Sequence, residues 1–316
     1  MIVADEQPSG DHVQPFQIET PGLRGRLVRL GPAVEAVLAG HAYPPAVAGQ
    51  LAEAMAMAAV LASGLKYDGI FTLQLQGDGP IRLMVVDVTS SGDMRGYARF
   101  DEDRLPEALT ASDGPVPRLF GAAFMSFTVD QGPGTDRYQG ITPMEGRTLG
   151  DCCHAYFRQS EQLETAILLC ASATPPLQPG WHAAALMLQR LPAAPSIIDP
   201  DAAEDDWRRA VILMSSATPA ELLAGSLSSA DLLYRLFHED GVRLYRARML
   251  RHRCRCSREK VERTLRSFPM AELMTMREDG LLRVTCEFCK AEYAFDEPAL
   301  ARLDGFSLPN KSAAED

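Results

Sequence analysis

Two segments decide the fold of the C-terminal part of the chain: residues 253–260, RCRCSREK, and residues 282–295, LRVTCEFCKAEYAF. They hold a C-x-C pair and a C-x-x-C pair with 29 residues between them: Cys254, Cys256, Cys286 and Cys289. The second pair lies between two strand-like runs, the context of a zinc knuckle. Four thiolates that converge tetrahedrally suit one Zn²⁺. The sequence therefore predicts a zinc site with these four cysteines as its ligands.

A metal would also explain how so short a segment folds. Residues 253–304 are too few to bury a sufficient core alone, and a structural zinc supplies roughly 10–16 kcal/mol of apparent folding free energy. Four thiolates and one Zn²⁺ keep a formal charge of about −2. His252 is a weaker candidate ligand because a fifth donor is unnecessary. Four neighbouring cations are expected to offset the charge: Arg251, Arg253, Arg255 and Lys290.

The spacing leaves two uses of such a zinc open. Each cysteine pair is close enough in sequence to form a local disulfide, and cationic neighbours favour the thiolate that peroxide or hypochlorite attacks. Oxidation would then expel the metal and remove the folding free energy that it supplied. An inert structural zinc is the commoner use, and the pattern alone does not separate it from a redox switch.

Composition and length indicate a globular protein, and we expect neither a signal peptide nor a membrane-spanning segment. The chain has 316 residues, 46% hydrophobic and 23% charged, with a net charge of −11, so we expect one large domain and a smaller one. The polar, acidic N-terminus lacks the features of a signal peptide, and the apolar stretch 54–65 is shorter than the roughly 20 residues that span a bilayer. We expect a cytoplasmic protein with reduced thiols.

No residue grouping typical of an enzyme is recognisable in the sequence. We therefore expect that the protein is not an enzyme. The C-x-x-C pair lies between two strand-like runs, whereas a thioredoxin-like motif opens a helix after a strand. The GDGP segment at 77–80 lacks the pattern of a phosphate-binding loop and is better explained as a hairpin turn. The histidines are scattered along the chain.

The N-terminal two thirds of the sequence predict an α+β domain. A helix is expected over 50–65, and strands over 71–76, 81–88 and 122–129, followed by YQGITP at 138–143. Three cysteines are expected in the core rather than in a site. A helix that opens at Thr148 puts Cys152 and Cys153 on its apolar face, and Cys170 lies in the apolar run AILLCAS.

A boundary is expected near residue 192, where LPAAPSIIDPDAAEDD is rich in proline and acids. Residues 207–238 then have the pattern of amphipathic helices broken at TP and AGS. The helices carry an apolar stripe that needs a partner surface: Leu232, Leu233, Leu236 and Phe237. They can form a connector that folds by docking, or simply the end of the first domain.

A basic stretch offers a second functional hypothesis. Residues 242–266 contain ten Arg or Lys and two Glu, a net charge of +8, and zinc modules with basic stripes bind nucleic acids. The acidic residues after 270 and the scarcity of aromatic residues argue against it. The net negative charge of the whole chain limits any nucleic-acid site to this stretch.

The chain resembles the heat shock protein 33 family of redox-regulated chaperones along nearly its full length. Besides the four cysteines and their flanks, several stretches carry the resemblance: RGRLVRL at 24–30, LQLQGDGPIRLMVVD at 73–87, MRGYARF at 94–100, YQGITPMEGRTLGDC at 138–152 and YFRQSEQLETAILL at 156–169. Two differences from the family are alanines at 183–185 in place of a glycine pair, and Ala247 in place of proline.

The resemblance implies an ATP-independent holdase that is inactive when reduced and zinc-bound. Oxidation would form the disulfides Cys254–Cys256 and Cys286–Cys289, expel zinc and unfold a helical linker. The active protein would bind unfolding client proteins and associate as a homodimer. The implied organisation is a short extension at 1–12, an α+β core at 13–197, a metastable linker at 198–252, a zinc-binding redox-switch domain at 253–304 and a tail at 305–316.

Overall fold

The structure is a computed structural model that describes residues 10–20, 22–132, 135, 137–161, 163–173, 180–191 and 200–304. The chain forms two compact units, Met1–Arg253 and Cys254–Asp316. Most of the boundary segment expected after residue 192, the first nine residues and the tail at 305–316 lie outside the described residues. The domain limits given above therefore stay predictions.

The first unit alternates strands and helices. Its strands are β1 (His12–Ile18), β2 (Leu23–Leu30), β3 (Ile70–Gly77), β4 (Ile81–Thr89), β5 (Asp93–Phe100), β6 (Ala123–Asp130), β7 (Tyr138–Pro143), β8 (Thr165–Ser172), β9 (His182–Arg190), β10 (Val242–Leu244), β11 (Arg248–Met249) and β12 (Arg251–His252). Its helices are α1 (Pro32–Ala39), α2 (Pro45–Ala62), α3 (Leu105–Thr110), α4 (Pro115–Phe120), α5 (Leu149–Tyr156), α6 (Pro200–Ser215), α7 (Pro219–Leu223) and α8 (Ser229–Phe237). The predicted α+β class is confirmed.

The strands form two sheets. The first has the order β10-β1-β2-β9-β8, with β11 also paired to β1, and the second has the order β12-β5-β4-β3-β6-β7. All neighbours are antiparallel except β12 and β5. The predicted hairpin is β3–β4, and its first strand ends at Gly77, where a side chain would not fit because a Cβ would lie 2.1 Å from the Phe120 carbonyl oxygen.

Helix α2 packs between the two sheets and supplies much of the main core. It begins five residues before the predicted start, at Pro45, because proline is favoured in the first turn of a helix. It ends at Ala62, three residues before the predicted end. By length and composition it could cross a membrane, but 78% of its apolar window is buried inside the protein.

The opposite face of the first sheet is covered by α6, α7 and α8, which we call the linker helices. The predicted apolar stripe on α8 is buried, and its Phe237 packs against Phe16 of β1 in a cluster that also contains Leu27 of β2. After α8 the linker stops being helical, since β10, β11 and β12 extend the two sheets. Of the three alanines on β9, Ala184 lies in the core beneath the linker helices, whereas Ala183 and Ala185 face the core around α2.

The second unit is small. It contains α9 (Arg258–Leu265), α10 (Met270–Thr275), β13 (Leu282–Thr285), β14 (Glu292–Phe295) and α11 (Glu297–Asp304). The hairpin β13–β14 and the three helices enclose a core of six buried side chains: Leu265, Leu273, Leu282, Phe295, Leu300 and Leu303. Arg258 lies over the Phe295 ring, 4.3 Å from its centroid. So small a core matches the expectation that this unit needs additional stabilisation.

Candidate metal centre

Two short pieces of backbone present the four cysteines in the second unit. Cys254 and Cys256 lie just before α9, and the Ser257 side chain begins this helix by accepting a hydrogen bond from the Lys260 amide, 3.3 Å away. Serine is a favoured residue at this position, because its oxygen satisfies an amide that has no partner in the first turn. The helix therefore starts at a fixed place directly after the C-x-C pair.

The second pair lies in the turn of the β13–β14 hairpin. The Cys286 amide donates to the Ala291 carbonyl and the Lys290 amide donates to the Cys286 carbonyl, both at 2.9 Å. Lys290 has a φ of +56°, in the left-handed region that non-glycine residues seldom adopt. The turn folds back on itself in this way and brings Cys286 and Cys289 to one side.

The sequence-predicted residues come together. One sulfur from each of Cys254, Cys256, Cys286 and Cys289 lies within 4.8 Å of the others, and all four residues are half-buried. Cys254 Sγ and Cys286 Sγ are 3.8 Å apart, and Cys256 Sγ and Cys289 Sγ are 3.4 Å apart. Four sulfurs around a tetrahedral zinc, with Zn–S near 2.3 Å, are separated by about 3.8 Å. The donor set and its spacing therefore fit a tetrahedral thiophilic metal ion.

The electrostatics of the cluster also favour a cation. Burial raises the pKa of the Cys289 thiol to about 12, with further increases from hydrogen bonds to the other three cysteines. Burial likewise raises the pKa of Cys286. Thiols this close together cannot all ionise without a positive charge between them, and a bound divalent cation deprotonates coordinating thiols. The group can hold a metal ion as four thiolates.

Tyr293 on β14 is a further residue of this site, which the sequence reasoning did not single out. Its hydroxyl donates to Cys256 Sγ at 3.1 Å, and this hydrogen bond raises the pKa of Tyr293 to about 12. The strand alternation places Tyr293 opposite Val284 in the hairpin. Its sequence position was seen only as a strand signal, because contact with Cys256 depends on how the two cysteine segments meet.

Two of the cations that were expected beside the cluster form ion pairs with Asp93 of the first unit. Arg251 Nε lies 2.5 Å from Asp93 Oδ1 at the start of β5, and Arg253 Nη1 lies 3.7 Å from Asp93 Oδ2. His252 lies in β12 and is not part of the four-sulfur group. These residues follow the β12–β5 pairing of the first unit, where Arg251 and Arg253 pair with Asp93, and the expectation that they offset the thiolates stays a prediction.

The other three cysteines are confirmed as core residues. Cys152, Cys153 and Cys170 are buried, and burial raises the pKa of each thiol to about 12. Thr148 is the N-cap of helix α5, which carries the first two and opens where it was predicted to, with a capping box between Thr148 and Asp151. These thiols are protonated at neutral pH and are poor nucleophiles.

This chain, a two-sheet α+β unit followed by a small four-cysteine unit, is similar in fold to a solved 33 kDa chaperonin. The crystal structure of the heat shock protein 33 homologue from Thermotoga maritima matches 92% of this chain and 97% of its own, with a TM-score of 0.73 and 24% identity. At that identity the comparison concerns the fold.

Sequence comparison gives the family. The model of the Hsp33 protein family matches residues 11–296. A 33 kDa chaperonin of Caulobacter vibrioides is 41% identical, over 94% of this chain and 98% of its own. One from Pseudomonas fluorescens is 36% identical, over 94% of each chain. The chain belongs to the Hsp33 family, which supports a chaperone role and the binding of unfolded client proteins.

Proposed function

We propose that this protein is an ATP-independent holdase whose activity is switched on by oxidation of Cys254, Cys256, Cys286 and Cys289. The observation that carries the proposal is the convergence of these four sulfurs within 4.8 Å in a unit with a very small core. In the reduced state they would hold one Zn²⁺ as four thiolates. The zinc would supply the cross-link that the six buried side chains of the unit are too few to replace.

Oxidation would remove that cross-link. One peroxide takes two electrons from a pair of thiolates, and with two protons it leaves a disulfide and two waters. Two such events give the pairs Cys254–Cys256 and Cys286–Cys289, as in the resemblance described above, and release the metal. In the reduced cluster the four sulfurs all lie within 4.8 Å of one another, with contacts at 3.8 and 3.4 Å between the two segments. A disulfide brings two sulfurs to about 2.05 Å, so its formation requires local rearrangement, which is incompatible with the reduced cluster.

The client-binding surface would come from the first unit. The linker helices cover a layer of apolar side chains on the first sheet, with Phe16, Leu27 and Leu186 among the buried members. Loss of structure in the four-cysteine unit would favour release of the linker helices, because their docking is a local equilibrium of marginal stability. The uncovered layer and the released apolar stripe of α8 would bind unfolding proteins.

The decisive experiment measures light scattering from a heat-unfolding client protein. The chain is added either reduced and zinc-loaded, or after peroxide treatment at elevated temperature, and the released zinc is measured with a chromophoric chelator. We expect the oxidised form alone to suppress aggregation and to release one zinc per chain. Equal activity of the two forms would reduce the zinc to a structural role.

We further propose a cytoplasmic location. We also propose a homodimer in the oxidised state, which sedimentation before and after peroxide treatment would detect.

The alternative of nucleic-acid binding through 242–266 loses support from the pairing of Arg251 and Arg253 with Asp93. Salt-dependent retention of the reduced protein on RNA or DNA would favour it. Suppression of client aggregation that tolerates salt would favour the chaperone.

A further inference from the structure

A buried hydrogen bond joins the first strand to the last linker helix. His12, the first residue of β1, and Ser229, the first residue of α8, are both buried, and His12 Nε2 lies 2.8 Å from Ser229 Oγ. His12 Nδ1 lies 2.7 Å from the Gly10 carbonyl oxygen, which can only accept. Nδ1 therefore carries the proton, and Nε2 accepts from the Ser229 hydroxyl. The neutral ring is fully satisfied in this arrangement.

Arg29 on β2 stands beside this ring and also holds the linker. His12 and Arg29 are directly paired across β1 and β2, so their side chains project from the same face of the sheet. The Arg29 guanidinium donates to the Glu221 carbonyl at 2.9 Å and to the Leu227 carbonyl. Burial lowers the pKa of Arg29 to about 10, so it stays charged at neutral pH.

The surroundings make a charged His12 unfavourable while the linker helices are docked. Burial has the largest influence and lowers the pKa of His12, as does the Arg29 charge, while the hydrogen bond to Gly10 and the Asp11 charge act in the opposite direction without cancelling it. Asp11 is a nearby carboxylate, but its oxygens accept from the Gly31 and Ala33 amides at 2.6 Å. The other elements packed around the ring supply no free counter-charge. Strand β11 presents the apolar Met249, and α8 presents the neutral Ser229 hydroxyl, while Asp231 of α8 accepts a hydrogen bond from Ser228. His182 on β9 interacts electrostatically with Asp11.

We propose that His12 makes docking of the linker helices acid-sensitive, so that mild acid loosens residues 219–237 without oxidation of the cysteines. Protonation would place a second buried positive charge beside Arg29, at the point where both residues bind the linker. Release of α7 and α8 would return water to the ring and to the guanidinium. This inference does not depend on the cysteine switch, because it concerns the reduced, zinc-loaded chain.

The direction follows from proton linkage. The pKa of His12 is below 6.5 in the docked state and returns toward 6.5 on release, so the released state binds more protons in this range. Docking is therefore strongest above pH 6.5 and weakens as the pH falls below it. The opening equilibrium rises by at most about tenfold per pH unit, down to the docked pKa. Asp11, whose pKa burial raises, acts in the opposite direction.

The test compares wild type with His12→Gln, a variant that cannot gain the charge. Hydrogen exchange of the reduced, zinc-loaded proteins is measured at pH 7.5, 6.5 and 5.5, with zinc retention monitored. The ratio of opening constants for the α8 amides, wild type over variant, cancels intrinsic exchange chemistry and the titrating groups that do not interact with His12. We expect this ratio to rise by up to about tenfold between pH 7.5 and 5.5. A constant ratio would overturn the proposal.

Two further measurements complete the test, and the first of them does not require a folded variant. The His12 ring is titrated directly by NMR in the wild type, and a pKa at or above 6.5 would also overturn the proposal. His238→Gln, at the exposed C-terminal end of α8, serves as a matched control. We expect it to keep the acid response of the wild type, and loss of that response would assign it to His238 instead.

Discussion

Phe16 on β1 and Phe237, the last residue of α8, stack with their ring centroids 5.8 Å apart and 25° between the ring planes. Both side chains are fully buried, so this pair is a main apolar contact between the first sheet and the linker helices. The contact leads to the first prediction. It concerns the docking of the linker rather than the chemistry of the cysteines.

Phe237→Ala should release the linker helices without oxidation. Loss of a buried Phe side chain costs about 3–5 kcal/mol, and the affected contacts lie in the cluster beneath the linker. We expect faster hydrogen exchange over 200–237 and partial suppression of client aggregation by the reduced protein. The control is Tyr234→Ala on the same helix, whose side chain is 54% exposed. If Phe237→Ala frees the linker but leaves aggregation unchanged, linker release is insufficient for activity.

Removal of zinc should unfold the second unit and leave the second sheet of the first unit intact. A strong chelator acting on the reduced protein, or Cys289→Ser, would take away the cross-link among four sulfurs. We expect hydrogen-exchange protection to be lost over 254–304 and retained in β3 and β4. Cys170→Ala is the matched control, because Cys170 lies in the first unit and is not a member of the four-sulfur group. Retained protection over 254–304 without metal would show that the small core is sufficient.

Tyr293→Phe should speed the reaction of the cluster with peroxide. The Tyr293 hydroxyl donates to Cys256 Sγ at 3.1 Å, and a hydrogen bond to a thiolate stabilises it and reduces its reactivity. We expect zinc release under limiting peroxide to become several-fold faster, with unchanged zinc content at the start. Tyr138→Phe, at an exposed position of β7, controls for the loss of a hydroxyl. An unchanged rate would mean that Cys256 is not the first sulfur to be attacked.

The alanines on β9 allow the two faces of the first sheet to be tested separately. Ala184→Gly removes a buried methyl beneath the linker helices, and the neighbouring Ala185→Gly removes one beside α2. Each change should cost ~1–2 kcal/mol, from the lost methyl and the added backbone freedom. We expect the first to loosen mainly the linker in hydrogen exchange, and the second to lower mainly the global stability. Identical exchange patterns would contradict this division.

Glu53 on α2 should make the stability of the first unit fall as the pH rises. Burial raises the pKa of Glu53 from 4.5 to about 7. A raised pKa in the folded state favours folding below pH 4.5, and the benefit declines between pH 4.5 and 7 because the unfolded chain loses its proton first. The difference is ~2–3 kcal/mol. Glu53→Gln should therefore lose less stability than wild type between pH 5 and 8 in urea unfolding, and an equal loss would argue against a neutral Glu53.

The sequence was most informative where local chemistry decides the structure. The β3–β4 hairpin, the capped start of α5, the apolar stripe of α8 and the four-cysteine cluster all follow from spacing and residue type, and all are found in the structure. The N-terminal start of α2 was missed because Pro45 was not used as a start signal.

Long-range pairing could not be predicted in the same way. Arg251 and Arg253 were assigned to the cysteines from sequence proximity, but β12 pairs with β5, and this brings both arginines to Asp93. The contact between His12 and Ser229 joins residues far apart in the chain, so no local pattern contains it. Such contacts depend on which strands become neighbours.

Adjacent residues of β2, Leu27 and Val28, lie in two different apolar cores, because successive side chains of a strand point to opposite faces. The core around α2 is therefore sealed from the layer beneath the linker helices by the first sheet itself. Local opening on one side need not disturb the packing on the other. If the linker helices are released as proposed, the intact sheet would remain as the surface on which they re-form.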